Sequence, residues 1–207
     1  GLGTTAYLVM ENRDRTPPED PAANDPRWTA TAPTTFLLGD QDGVKTLYAW
    51  TKNALGEVSA RAIRQTFLDR QKPVTRVTFP TNWQRITELK YVSVISPDPK
   101  PASGTNRVLI ALRRELNNGK TCFFWNGTQW KSKGCNSHIW LRSRANRQFW
   151  AVYFPSTNPK FNLLGAYSVF ARSSDKAGNT NSDTNFTLGT NWVRFRIVEE
   201  GDSDPRR

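Results

Sequence analysis

The feature that most constrains this chain is the spacing of its apolar residues. They alternate with polar ones in short segments bounded by Gly, Pro, Asn, Asp or Ser, and almost no window carries them at helical spacing. In the first part of the chain the segments are AYLVM (6–10), TTFLL (34–38), VKTLYAWTK (44–52) and ARAIRQTFL (60–68). In the second they are VTRVTF (74–79), LKYVSVI (89–95), NRVLIALRR (106–114), TCFFW (121–125), QFWAVYF (148–154), AYSVFARSS (166–174) and WVRFRIV (192–198). Period-two alternation sends every second side chain to one face of a sheet, and strands separated by turn signals at this spacing read as an all-β sandwich or barrel. Eight Trp, eleven Phe and five Tyr supply the bulk that two packed sheets need between them.

The chain divides near residue 72. Pro73 opens a strand after the charged run LDRQK, as in the short connectors of tandem modules. This predicts a module over 1–72, a larger one over 73–198 and a polar tail or linker, EEGDSDPRR, over 199–207. A repeat supports the division: TLYAWTKNALGEVS (46–59) aligns without gaps on SVFARSSDKAGNTN (168–181), pairing Tyr48 with Phe170, Asn53 with Asp175 and Gly56 with Gly178. Each copy is a strand running into a turn that uses a glycine and an Asx side chain, so one structural unit is expected twice. A sandwich needs about seven strands, and residues 1–72 offer four or five, so the first module is either incomplete or reduced.

These segments carry a family resemblance. YAWTKNALGEVS looks like the closing strand pair of bacterial Ig-like repeats, and ARSSDKAGNT is similar to the "Ala-x-Asp-x-Ala-Gly-Asn" ending of such modules. NRVLIALRRELNNGKTCFFWNGTQW (106–130) resembles a recurring stretch of the same repeats, a strand with an Arg pair followed by Trp-Asn-Gly-x-x-Trp. The resemblance implies two tandem immunoglobulin-like β-sandwich domains of an extracellular, modular surface protein. It speaks to architecture more than to function, because such modules serve as spacers, adhesive tips and appendages of secreted enzymes. Asn53 and Glu57 stand where the pattern has Asp and Asn, which weakens any cation-binding role for the first turn.

Candidate chemistry is sparse. Cys122 and Cys135, joined by a Gly-containing turn, suit a disulfide clamping a hairpin, with two free thiols as the alternative. A disulfide points to an oxidising compartment. His138 is the only histidine, so neither a four-ligand zinc site nor a Ser–His or Cys–His hydrolase can be assembled from the recognisable motifs, and no catalytic residue is nominated. Asp40 and Asp42 alternate before Gly43 and are the candidate calcium ligands, with a plain polar turn as the alternative; Asp175, Asn179 and Asp183 form a weaker set. No other cofactor is expected.

The formal net charge is +11, an attraction toward polyanions that does not choose among them. Cations and aromatics interleave between Arg113 and Trp150. Trp125, Trp130, Trp140, Arg142, Arg144 and Arg147 are therefore the candidate ligand-binding residues, the rings stacking on sugars and the guanidinium groups holding anionic groups. The alternative is that the tryptophans fill the core. No run of about 20 apolar residues exists to span a bilayer, and the start of the chain reads as an internal or processed fragment. The expectation is a non-catalytic spacer or adhesion element of a secreted or cell-surface protein. Its partners are neighbouring domains of the same polypeptide and, secondarily, surface glycans or other polyanions, with no specific nucleic acid. A carbohydrate-binding module and an accessory domain of a secreted hydrolase are the alternative readings.

Overall fold

A computed structural model describes residues 3–12, 17–146, 149–155, 157–158, 160–181 and 185–202. The chain is all-β and divides into two compact units, Gly1–Arg70 and Gln71–Arg207.

The first unit is built on three strands, β1 (Thr4–Asn12), β2 (Gly43–Asn53) and β3 (Ala62–Leu68), in one antiparallel sheet of that order. The register pairs Leu8 with Trp50 and Met10 with Tyr48, which stacks the alternating apolar residues on one face. Leu8, Tyr48 and Trp50 are buried there, with Met10, Trp28 and Val58 packed against them. The Trp50 indole N–H donates to Asp20 at 2.9 Å, tying the long β1–β2 connection over that face. The other face carries a buried ion pair, Lys45 to Glu11 at 3.0 Å. One expectation needs correction here. TTFLL forms no strand: its apolar residues are a continuous run rather than an alternation, no strand pairs with it, and Leu37 is 90% exposed. Among the described residues this unit has a single three-stranded sheet, as a reduced or incomplete copy would.

The second unit carries β4 (Arg76–Phe79), β5 (Gln84–Ile86), β6 (Tyr91–Ile95), β7 (Thr105–Leu116), β8 (Thr121–Trp125), β9 (Trp130–Lys133), β10 (Leu141–Arg142), β11 (Arg144–Ala145), β12 (Trp150–Tyr153), β13 (Gly165–Asp175) and β14 (Trp192–Ile197). One sheet runs β11-β12-β6-β4; the other runs β5-β14-β13-β7-β8-β9, with β10 beside β7. All pairings are antiparallel except β5 with β14, which is parallel. This is an immunoglobulin-type sandwich: the first sheet has the A-B-E-D arrangement and the second joins G, F and C with two further strands beyond C.

The core lies between the sheets. Val77, Val92 and Val94 come from one side; the alternating sets Val108–Ile110–Leu112, Tyr167–Val169–Ala171 and Val193–Phe195–Ile197 come from the other. Tyr167, near the start of β13, donates its hydroxyl to the carbonyl of Leu163, four residues upstream, which is the tyrosine corner of such sandwiches. Burial pushes this phenol up to about 12.

The internal repeat is real at the level of the strand and its turn. Lys52 bridges Val58 after β2, and Ser174 bridges Thr180 after β13, at corresponding positions. Gly56 at φ 84° and Gly178 at φ 98° make the two turns, a backbone region that costs glycine little. In each turn the Asx side chain accepts from the backbone N–H four residues on, Glu57 to Asn53 at 3.0 Å and Asn179 to Asp175 at 2.8 Å.

Candidate functional site

Because Val108, Ile110, Leu112, Val169 and Ala171 point into the core, their neighbours point to the outer face of the larger sheet. The register lays Arg194, Ser168, Arg113 and Phe124 in one row across β14, β13, β7 and β8, with Glu115 and Cys122 paired in the adjacent row. Glu115 is 7% exposed. It accepts from Arg113 at 2.6 Å, Ser168 at 2.6 Å and Arg194 at 2.8 Å. Burial pushes this carboxyl up, but the Ser168 hydrogen bond and the two guanidinium charges outweigh it and hold Glu115 below the usual carboxylate value.

Arg113 also reaches across to the disulfide, donating to the carbonyl of Cys135 at 2.7 Å. Cys122 and Cys135 are bonded, with their Cα atoms 5.1 Å apart, fastening the segment after β9 to β8. That segment delivers His138 and Trp140 onto the same face. The His138 ring lies 4.6 Å from Phe170, 5.1 Å from Phe186 and 5.1 Å from Trp140, centroid to centroid. Arg113 sits 4.8 Å over Phe170, and Arg172 sits 4.3 Å over Trp140. The lone histidine is thus a member of an aromatic cluster tethered by the disulfide.

The residues named from the sequence do not converge. Trp125 is 2% exposed and packs in the core, with ring contacts to Phe161 at 4.8 Å and Trp130 at 5.4 Å. Trp130 stacks on Phe161 and donates its indole N–H to the Lys160 carbonyl at 3.2 Å. Both belong to the interior side of the larger sheet, the opposite side from Trp140, Trp125 fully buried and Trp130 half-buried. The Trp140 ring is itself taken up by His138 and Arg172. Arg142 is exposed on β10 and Arg144 is exposed on β11, in the other sheet. Arg147 lies outside the described residues.

In the first unit, the Asp42 carboxylate is held by the Arg70 guanidinium at 2.7 Å, and Arg70 also donates to the Asp40 carbonyl. The Asp40 side chain is fully exposed. A cation at this loop would have to displace Arg70 from Asp42. In the second unit Asp175 is 1% exposed and bonds both the backbone and the side chain of Asn179, closing its own turn; Asp183 lies outside the described residues. The sequence reading missed Glu115, because a single acid between basic residues carries no pattern of its own. It also missed Arg107 and Arg172, although their place between core residues on β7 and β13 marks them as outward-facing.

No family model matches the chain, and no curated protein is matched. Among solved structures the chain is similar to the fibronectin(III)-like modules of Clostridium thermocellum CbhA, at 12% sequence identity and a TM-score of 0.42, the match covering 96% of this chain and 80% of that one.

Proposed function

We propose that this chain is a non-catalytic structural module of a secreted or cell-surface protein, spacing or presenting its neighbours in the same polypeptide. The observation that carries this reading is that, among the described residues of the second unit, Glu115 and His138 are engaged by other side chains. Glu115 is bound by two arginines and a serine, and His138 lies among four aromatic rings. The disulfide supports an oxidising compartment. The test is a broad hydrolase substrate panel run on the chain and on His138→Ala. Absence of turnover in both is expected; turnover that disappears with the imidazole overturns the reading.

A second reading, contact with anionic glycans or other polyanions, is favoured by the net charge of +11 together with the exposure of Arg142 and Arg144. It rests on the cations, since Trp125 is buried and Trp130 is half-buried against the core.

A further inference from the structure

The sheet of the first unit ends on an open edge. Among the described residues β3 pairs with β2 alone, and every residue from Ala62 to Phe67 is exposed. The register places Ile63 opposite Tyr48, Gln65 opposite Thr46 and Phe67 opposite Val44. Alternation along β2 puts Val44 and Thr46 on the same face as Tyr48 and Trp50, so Ile63 and Phe67 extend the apolar face built on Leu8. That extension is uncovered: Val44 is 63% exposed, Ile63 46% and Phe67 39%. Proteins blunt the open edges of their sheets with prolines, bulges or charges. This seven-residue strand has no proline, its ladder with β2 runs without a bulge, and its one charge is Arg64.

We propose that β3 pairs with β3 of a second copy of this chain, antiparallel about a two-fold axis through Gln65, joining two three-stranded sheets into one of six. The strand's own sequence selects both the occupant and the register. Gln65 is the midpoint of Ala62–Leu68, so centring there gives all seven residues a partner. Ile63 then lies opposite the partner's Phe67 at two equivalent places, an aromatic with a β-branched residue, a pairing that stabilises antiparallel sheets. Arg64 lies opposite the partner's Thr66, and its charge meets no like charge. Centring on Arg64 instead would set the two guanidinium groups against each other and Ile63 against Gln65; centring on Thr66 would set Phe67 against Gln65. Directly opposed residues share a face, so the Gln65 axis also runs the two apolar faces into one. Net charge does not oppose the pairing. Residues 1–70 hold eight Lys or Arg and nine Asp or Glu, a net −1, and the whole positive excess lies in residues 71–207.

The test is sedimentation equilibrium of the full chain at physiological salt, for the parent, Ile63→Lys, Phe67→Glu and the two substitutions combined. Both side chains are exposed, so the variants are expected to keep the parent's far-ultraviolet spectrum. The parent should dimerise. A two-fold interface carries each substitution twice, so either single variant should raise the dissociation constant by about tenfold or more. The combined variant sets an ammonium against a carboxylate at both ends of the strand pair and should recover dimerisation. Val74→Lys, which charges an exposed apolar residue of the second unit, should dimerise as the parent does. A parent that stays monomeric throughout the micromolar range overturns the proposal, as do single variants that dimerise as the parent does, or a Val74→Lys loss equal to theirs. Single variants that lose the dimer without recovery in combination overturn the register about Gln65.

Discussion

Replacing Glu115 with Gln tests whether the charge network on the outer face holds the second unit together. The carboxylate takes hydrogen bonds from Arg113, Arg194 and Ser168 at 2.6 to 2.8 Å. An amide keeps one acceptor, turns a second donor toward guanidinium groups and leaves two cations without their anion. Breaking a well-buried ion pair costs about 3 to 5 kcal/mol. Arg194 is 38% exposed and water relieves part of its loss, so the expected cost is roughly 2 to 4 kcal/mol. In urea, with a slope of about 1 to 3 kcal/mol per molar, the midpoint should move down by about 1 to 2 M.

The pH dependence follows from the direction of the shift. Glu115 is held below its ordinary value in the folded protein, so its contribution is full above the unfolded carboxyl's value near 4.3 and fades as pH falls through the lower folded value. The gap in stability between the parent and Glu115→Gln, measured by urea unfolding with tryptophan fluorescence, should be large at pH 7 and close toward pH 3. A cost at neutral pH under about 1 kcal/mol, or a gap that does not narrow in acid, would refute the reasoning.

The Cys122→Ser, Cys135→Ser variant frees a loop closed across 13 residues, which the chain-entropy model values at about 3 kcal/mol. Calorimetry should find the second unit's transition roughly 10 °C lower, with protease cutting appearing between residues 134 and 140; an unmoved transition would mean that the aromatic cluster alone secures this segment. Tyr167→Phe removes the hydroxyl that donates to the Leu163 carbonyl, for a loss of about 1 kcal/mol in denaturant unfolding with an unchanged far-ultraviolet spectrum.

Much of the fold was legible because alternation is a local signal. The segments around Leu8, Trp50, Ile110, Val169 and Phe195 each lie within an observed strand, and the repeat about Asn53 and Asp175 returns as two matching turns. The losses have physical causes. β5, β10 and β11 have two or three residues each, too few to display a period, and β9 is three parts polar. TTFLL was apolar without alternating. The candidate site was less legible, because proximity in sequence says nothing of which face a side chain takes. Trp125 and Trp140 sit 15 positions apart and end on opposite sides of the larger sheet. Arg107, Arg142 and Arg172 come from three separated stretches that the strand register brings onto one face.

The parallel pairing of β5 with β14 has a mechanical consequence. Once β4 has come away from β6, tension applied through the polypeptide pulls β5 from its leading end and β14 from its trailing end, sliding one past the other lengthwise. The hydrogen bonds joining residues 84–86 to 195–197 would then yield together instead of unzipping one at a time, and a unit loaded in that way resists stretching well beyond what its equilibrium stability suggests.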